Sequence, residues 1–322
     1  MYYINACSSI SHQSSFQTKN WAENLKALAK NSELIIPNYK DFIDRSLLRR
    51  MSSINRMGLT CAIDCTKQSN ETNPDAIIVG TGLGCLADTE KFLKNTLTIE
   101  GLIPPTAFIQ STHNTVAGQI SLRLKNHNYN ITHTQNSLSF EHALIDGLLC
   151  LEEGSKNILL GTVDEKIPLM DDLVTDFNLS VLQEKLTSGA SFFMLSQDKS
   201  EQAAAYISAC TAELTLNNNT KEIVLDFLTD NDLTIDNIDL VMYNTNGTVS
   251  NVEIEEDFKG VSCQNYEPYC GYYFTNSAFG LHLANEHLSN HNNSENPIKT
   301  ILLYNNYNNE NIGLIIVKSI EA

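Results

Sequence analysis

The chain has 322 residues, a hydrophobic content of 42% and a formal net charge of −17. This length suffices for one large domain or two packed halves. The charge excludes nucleic acid and anionic membrane surfaces as partners, because no basic stripe is present to neutralise phosphates. No apolar run approaches the eighteen residues of a membrane span, and the first residues do not resemble a signal peptide. We therefore expect a cytoplasmic protein.

The eight cysteines predict reduced thiols rather than a disulfide framework, since no secretion signal accompanies them. Cys61 and Cys65 lie four residues apart, a spacing that places them on one helix face. No second cysteine or histidine pair completes a zinc set. Neither a metal nor a cofactor is expected.

Strands and helices alternate from the start of the chain. Residues 2–10 predict a strand, and residues 48–66 carry apolar side chains at helical spacing. Residues 75–86 predict a buried strand that runs into Gly82 and Gly84. The third glycine and the ribose-binding acid of a dinucleotide fingerprint are missing. These glycines therefore indicate a bend that brings the backbone close to a neighbouring element.

Residues 128–165 form the central pattern of the chain: a strand, a turn, a buried helix and a second buried strand. Apolar positions cover most of the circumference of the predicted helix, which ends near Gly154. A residue in the turn before that helix faces backbone N–H groups and the positive end of the helix dipole. This turn is a natural position for a nucleophile.

The central pattern resembles the nucleophile elbow of β-ketoacyl synthases, the condensing enzymes of the thiolase fold. In that family a turn of the type T-A-C-S-S precedes the helix. Alignment on Gly154 and the following strand without gaps places Ser137 at the catalytic cysteine, and a turn two residues longer places Gln135 there. Neither residue is a thiol. Residues 6–9 spell A-C-S-S, but polar residues follow them instead of a buried helix, so we expect Cys7 to be a packed thiol in a strand.

The resemblance covers most of the chain. Residues 104–124 resemble a family segment that ends like V-A-G-H-L-T-I and lies near the dimer interface, and residues 188–196 resemble a strand that ends the first half. The family implies an α/β, thiolase-like fold with two pseudo-symmetric α/β halves in an αβαβα arrangement of layers. We expect one half over residues 1–198 and the other over residues 199–322.

Two late family motifs are present without their histidines. The segment that contains Gly247 and Thr248 aligns with E-A-H-G-T-G-T and places Asn244 at the first histidine. A second segment aligns with K-x-x-T-G-H, with Tyr269 at the lysine and Phe274 at the second histidine. An amide or a phenyl ring cannot act as an imidazole does near neutral pH. We therefore expect no catalytic residues among these degenerate positions.

Other residues offer little replacement chemistry. Residues 305–311 stand where the family has the glycine loop that supplies an oxyanion donor. His133 and His142 flank Ser137, but the first lies in the incoming strand and the second along the helix, which disfavours a serine triad.

Three further histidines follow Phe274 on a helix that reads as polar. His287 and His291 have the i, i+4 spacing of metal ligands, but no acidic motif accompanies them. A solvated helix face is therefore the preferred interpretation for them and for His282. For His113, we expect a histidine satisfied by hydrogen bonds at a packed helix end.

The resemblance implies a non-catalytic ketosynthase-like subunit, similar to a chain length factor. Such a subunit forms a heterodimer with an active β-ketoacyl synthase in polyketide, aryl-polyene or fatty-acid-like biosynthesis and shapes its acyl tunnel. The implied interface residues are Thr106, Phe108, His113, Val116, Gln119 and Phe140.

Two alternatives stay open: an acyltransferase that uses Ser137, and a homodimeric protein that binds acyl chains. An acyl carrier protein is expected as an indirect partner, because an acidic surface repels it. A local basic patch around Arg49, Arg50 and Arg56 would change that expectation.

Overall fold

The structure, a computed structural model, describes residues 1–30, 32–179, 186–215, 219–245, 250–291 and 297–320. The strands are β1 (Tyr2–Ile10), β2 (Ala76–Gly80), β3 (Tyr129–His133), β4 (Asn157–Asp164), β5 (Gly189–Ser196), β6 (Ala205–Leu214), β7 (Leu240–Asn244), β8 (Ser262–Asn265), β9 (Thr300–Tyr307) and β10 (Asn311–Ser319). The helices are α1 (Arg45–Leu48), α2 (Ser53–Ser69), α3 (Leu86–Thr98), α4 (Pro105–Gln110), α5 (Thr115–Leu124), α6 (Ser139–Glu152), α7 (Pro168–Asp176), α8 (Thr220–Asp230), α9 (Asn251–Asp257), α10 (Glu267–Cys270) and α11 (Ser277–His291).

The ten strands form one sheet in the order β3-β2-β4-β5-β1-β6-β10-β9-β7-β8. In the first five, β2 is parallel to β3 and β4, and β5 is antiparallel to β4 and β1. In the last five, β7 is parallel to β8 and β9, and β10 is antiparallel to β9 and β6. The same topology thus occurs twice along the chain. The two sets join where Tyr2 and Tyr3 of β1 pair with β6.

The helices lie in three layers around the two sets of strands. Side chains of α2 and α5 form one apolar cluster with the first set, and side chains of α8 and α9 form another with the second set. Between the sets, α6 and α11 contribute Phe140 and Phe279 to a cluster that also contains Ile78 of β2 and Ile315 of β10. The predicted αβαβα arrangement is confirmed. The division into domains 1–198 and 199–322 remains a prediction.

The predicted bend after β2 is confirmed. A Cβ atom at Gly82 would lie 2.2 Å from Cβ of Phe274, so only glycine permits this approach. Gly84 has a φ of +64°, a left-handed conformation that favours glycine, and it lies against the ring of His113. The segment after β2 is therefore held close to residues far away in the sequence.

The interpretation of α11 as a polar helix with a solvated histidine face is wrong. Most of α11 lies in the middle layer, and His282 is 3% exposed, with Nδ1 2.7 Å from Oγ of Ser9. Burial lowers the pKa of His282 to about 3, so its ring is neutral and can be buried with one hydrogen bond. His287 is half-buried, and the side chain of His291 lies outside the described residues. The polar side chains of α11 predicted an exposed helix, whereas the helix lies between the two sets of strands.

The eight cysteines are free thiols, and Cys61 and Cys65 are buried in α2. Cys7 is half-buried in β1, as predicted, and its Sγ accepts a hydrogen bond from the side-chain amide of Asn285. In the described part of the chain, His, Cys, Asp and Glu side chains form no group of three that could hold a metal. No helix in those same ranges is long and apolar enough to cross a membrane.

Candidate functional site: a buried amide network at the elbow

The elbow is a short 3₁₀ turn, Asn136–Leu138, between β3 and α6. Asn136 has a φ of 56°, a left-handed conformation that asparagine adopts more readily than most residues. The turn buries Ser137 completely at the start of α6, whereas Gln135 is exposed. Of the two candidates for the cysteine position, only Ser137 therefore faces the interior.

Amide groups hold Ser137 in place. Its Oγ accepts a hydrogen bond from Nδ2 of Asn311 at 3.0 Å, and its carbonyl oxygen accepts one from Nδ2 of Asn305 at 2.9 Å. The nearby histidines have other environments. Nε2 of His133 lies 3.0 Å from Oδ2 of Asp146, and burial lowers the pKa of His142 on α6. No described histidine ring makes a hydrogen bond to the hydroxyl of Ser137.

A buried carboxyl group that sequence reasoning missed completes this group. Glu141 lies one turn after Ser137 on α6 and is 0% exposed, and its Oε1 accepts a second hydrogen bond from Nδ2 of Asn305 at 2.9 Å. Gly313 of β10 makes room for it, because a Cβ atom there would lie 2.7 Å from the carboxyl carbon. Burial raises the pKa of Glu141 to about 7. The sequence contained an indication of this buried group, because Glu141 is a charged residue on an apolar face of the helix.

Asn244, at the predicted position of the first histidine, lies in a second group of buried polar side chains. Its Nδ2 donates to Oη of Tyr266 at 2.8 Å and to Oδ1 of Asn276 at 2.6 Å. Its Oδ1 accepts from the backbone N–H of Asn306 at 3.3 Å. Asn244 also pairs with Asn305 in the register of β7 and β9, which joins the two groups. Both ends of the Asn244 amide are thus occupied by protein partners.

The other predicted positions lie beside this network. Phe274 packs against Gly82 and against the ring of Tyr272, with the two ring centroids 5.5 Å apart. Tyr269 is half-buried, and its carbonyl oxygen accepts a hydrogen bond from the side chain of Gln13. Gly247 and Thr248, on which the alignment of Asn244 depends, lie outside the described residues.

Asp164, at the end of β4, holds the loop of Phe274 in position. Its Oδ2 accepts from the backbone N–H of Thr275 at 3.1 Å and from its hydroxyl at 2.8 Å. Its Oδ1 accepts from Oγ1 of Thr81 and from the backbone N–H of Gly82, both at 2.9 Å. The carboxylate therefore ties the bend after β2 to the loop before α11 and keeps Phe274 against Gly82.

Two predicted interface residues are unavailable to a partner. Val116 and Phe140 are 2% and 0% exposed, and Phe140 packs against Phe193 within the middle layer. Their helices were correctly predicted, but their apolar side chains face the chain's own core. Of the other predicted interface residues, Thr106, Phe108 and His113 are exposed and Gln119 is half-exposed. His113 also differs from expectation, because it lies exposed in the turn before α5 and its ring makes no described hydrogen bond.

A basic cavity of about 600 Å³ lies between α1, α2 and the segment before α1. Three of the chain's five arginines, Arg45, Arg49 and Arg56, line it together with Lys40. Nε of Arg56 and Oη of Tyr39 are buried there without a hydrogen-bond partner among the described residues. The acidic chain therefore has the local basic patch that its net charge concealed.

Replacement of Glu141 by Gln should remove a pH-dependent loss of folding stability. Because the pKa of Glu141 is raised from 4.5 to about 7, its protonated form favours the folded state, and stability is lost as the pH rises from about 4.5 through about 7. The free energy of unfolding of E141Q, relative to the wild type, should increase by up to about 3 kcal/mol between pH 4.5 and 8. Chemical denaturation at several pH values measures it.

The exposed Glu153, at the end of the same helix, gives the matched control E153Q. Its difference from the wild type should change with pH much less than that of E141Q, because the side chain of Glu153 is exposed in the folded chain. An E141Q difference that is equally flat would contradict the assigned environment of Glu141.

Comparison with known proteins gives the following relationships. Residues 18–227 match the family model described as beta-ketoacyl synthase, N-terminal domain. No protein with a curated description matches the sequence. Among solved structures, the chain resembles a chain of the AntDE:AntF complex, which contains a type II PKS acyl-carrier protein and its ketosynthase, with a TM-score of 0.79, 16% identity and coverage of 99% of each chain.

Two further structures contain chain length factors. The ishigamide ketosynthase/chain length factor matches with a TM-score of 0.79, 11% identity and coverage of 99% of each chain. The ketosynthase ApeO in complex with its chain length factor ApeC, from Xenorhabdus doucetiae, matches with a TM-score of 0.60, 16% identity and coverage of 98% of each chain. The structural matches establish the thiolase-like fold, and the family match covers more than half of the sequence. The chain therefore belongs to the β-ketoacyl synthase family.

Proposed function

We propose that the chain is a non-catalytic ketosynthase-like subunit. It pairs with an active β-ketoacyl synthase in polyketide, aryl-polyene or fatty-acid-like biosynthesis, as a chain length factor does, and shapes the acyl tunnel of that partner. The observation that carries this proposal is the buried network of Ser137, Glu141, Asn305 and Asn311, in which amide groups occupy the elbow.

The chemistry of condensation explains why this network argues against catalysis. A decarboxylating condensation needs a thiolate to accept the acyl group, imidazoles to stabilise the enolate, and two N–H donors for the oxyanion. Ser137 offers a hydroxyl that accepts a hydrogen bond from an amide, and Asn244 offers an amide whose ends are already occupied. Neither group takes up or releases a proton near neutral pH. The scaffold is retained without a reactive centre.

The edge of the sheet supplies a surface for a partner. β3 is the outermost strand of the first set, so one side of its backbone is unpaired within the described chain. Exposed apolar side chains lie on β3, on α5 and α6, which contact it, and on α4, which precedes α5: Phe108, Ile109, Leu122, Tyr129 and Leu149 are each at least 45% exposed. An unpaired strand edge beside exposed apolar side chains favours association with another sheet. The ketosynthase and chain length factor pairs among the structural neighbours support a heterodimer.

The basic cavity supports direct contact with an acyl carrier protein. Carrier proteins are acidic, and the net charge of −17 repels them at long range. Within about a Debye length, however, Arg45 and Arg49 present a local positive charge that an acidic helix can pair with. We therefore extend the proposal from indirect to direct carrier contact at this cavity.

Substitution at the strand edge tests the heterodimer. On co-expression with an active ketosynthase encoded nearby, the two chains should co-elute in size exclusion. Phe108→Asp, which places a charge on the apolar surface, should abolish co-elution. Val252→Asp changes a side chain of similar exposure, 62%, on α9 and should leave it intact. A stable homodimer that co-elutes with no ketosynthase would favour the alternative, a homodimeric protein that binds acyl chains.

Substitution of Ser137 tests whether the subunit is catalytically inactive. Ser137→Ala removes the hydroxyl and keeps the fold, so product formation by the co-expressed pair should stay within about twofold of wild type. Mass spectrometry after incubation with an acyl thioester should find no acyl group on Ser137. A burst of acylation there that S137A abolishes would establish the acyltransferase alternative instead.

Charge reversal at the cavity tests carrier contact. Arg49→Glu should weaken binding of the acyl carrier protein to the assembled pair by about tenfold at low salt, because it adds a repulsive charge. The effect should shrink as salt is raised. Lys259→Glu, an equal charge change at an exposed position after α9, should leave the affinity unchanged. Calorimetry measures both, and equal effects of the two variants would reject the cavity as the contact.

A further inference from the structure

Helix α3 is attached to the protein in an unusual way. Its one buried residue is the carboxylate-bearing Asp88, whereas Leu93 and Leu97 are 54% and 86% exposed. Its aromatic residue Phe92 packs on Phe108 of the equally exposed helix α4, with ring centroids 5.3 Å apart. Apolar burial, which normally holds a helix to a sheet, therefore contributes little at α3. A polar cluster at its first turn supplies the attachment.

That cluster contains two carboxyl groups that are more than nine-tenths buried. Glu165, which follows β4, is 6% exposed, and its Oε1 accepts a hydrogen bond from the backbone N–H of Ala87 in α3 at 3.1 Å. The N–H of Ile54, at the start of α2, also bonds to Glu165. Asp88 is 7% exposed and bonds to the side chain of Ser52. One carboxyl thus joins the N-termini of two helices, and a second lies beside it.

Two acceptor oxygens in the cluster have no donor among the described residues. Oδ2 of Asp88 is buried and unpartnered, and so is Oδ1 of Asn55, which is 1% exposed. Nδ2 of Asn55 donates to Oγ of Ser52 at 2.8 Å, so both acceptors belong to side chains that bond to the same serine. A buried acceptor without a donor is costly. A proton on one of the carboxyl groups removes one of the two charges and turns an acceptor oxygen into a donor.

Burial, reinforced by neighbouring negative charges and opposed by the N–H groups of Ala87 and Ile54, makes Glu165 bind a proton near neutral pH. Burial, followed by the negative charges of Asp88 and Asp164, raises the pKa of Glu165 to about 7. Burial also raises the pKa of Asp88, although Ser52 and the ammonium of Lys91 act in the opposite direction. The remaining titratable neighbour is the thiol of Cys85, whose raised pKa keeps it neutral.

We propose that α3 docks on the protein as a proton-dependent element, held when the Asp88–Glu165 cluster carries one proton and released when both carboxyl groups are charged. The docked helix positions α4, which carries Phe108 and Ile109 of the apolar strand-edge surface. Proton uptake therefore orders part of the surface assigned above to the partner. The docking itself is a property of the isolated chain and does not depend on the proposed heterodimer.

The direction of the pH dependence follows from linkage. Undocking exposes Glu165 and returns its pKa from about 7 towards the ordinary 4.5, so the undocked state binds fewer protons in that interval. The opening equilibrium of α3 should increase by about tenfold per pH unit between pH 5 and 7 and level off above pH 7. Docking is therefore complete in acid and weakest at alkaline pH.

Hydrogen exchange of the isolated full chain, read by mass spectrometry on peptides of α3 and corrected for the intrinsic pH dependence of exchange, tests this inference. Wild-type protection of α3 should fall between pH 5 and 8. Glu165→Gln, which keeps an acceptor for Ala87 and carries a permanent donor, should hold its protection nearly constant. Glu100→Gln changes an exposed carboxyl just after α3 and should retain the wild-type profile.

Wild-type protection of α3 that does not change with pH, or an E165Q profile equal to that of the wild type, would overturn the proposal. If E165Q does not fold, Asp88→Asn provides the second variant, because it removes the other charge of the pair. It should narrow the pH range over which protection falls, because Glu165 loses a neighbouring negative charge but stays buried, and an unchanged profile would count against the proposal in the same way. Peptides of α8, in the other half of the chain, serve as the internal reference.

Discussion

Burial of the middle layer between two sets of strands is the constraint on which this structure depends. α6 and α11 are largely covered by the strands, so a polar group that they bring into the interior needs a partner within the protein. Asn305 meets this requirement for α6 by donating to both the carbonyl oxygen of Ser137 and the carboxyl group of Glu141. His282 meets it for α11 through Ser9. Hydrogen bonds from Asn305 and Asn311 hold Ser137 at the elbow.

The same constraint separates a catalytic elbow from a structural one. A catalytic site needs polar atoms that are left free for substrate, with charges poised to change during the reaction. At this elbow the amide hydrogens and oxygens of Asn244 are used within the network, and Asn311 bonds to the hydroxyl of Ser137. Side-chain amides suit this task because each offers both donors and acceptors and neither ionises. In the proposed non-catalytic subunit, the family scaffold keeps its geometry while the elbow is part of the core.

Buried acids give the protein its pH-dependent features. Glu141 lies in the first turn of α6 and Glu165 follows β4, and burial raises the pKa of each to about 7. Asp164, the residue before Glu165, anchors the loop of Phe274 to the bend after β2 through four hydrogen bonds. Desolvation is the largest contribution in all three cases. Acids in these positions hold loops and helix ends together and make their stability depend on pH.

The sequence by itself determined the family and the layered α/β fold, and it predicted the loss of the reactive residues, because motif spacing and apolar periodicity are local properties of the chain. The strand–turn–helix–strand pattern around Ser137 and the bend at Gly82 were predictable for that reason. Only the tertiary structure decided which side chains are buried and what they bond to. Glu141 bonds to Asn305 and packs against Gly313, both more than 160 residues away in the sequence. Phe140 and His282 are buried by strands that are distant in the sequence from the helices that carry them. Burial and hydrogen-bond partners are set by contacts between distant segments, and no local pattern encodes them.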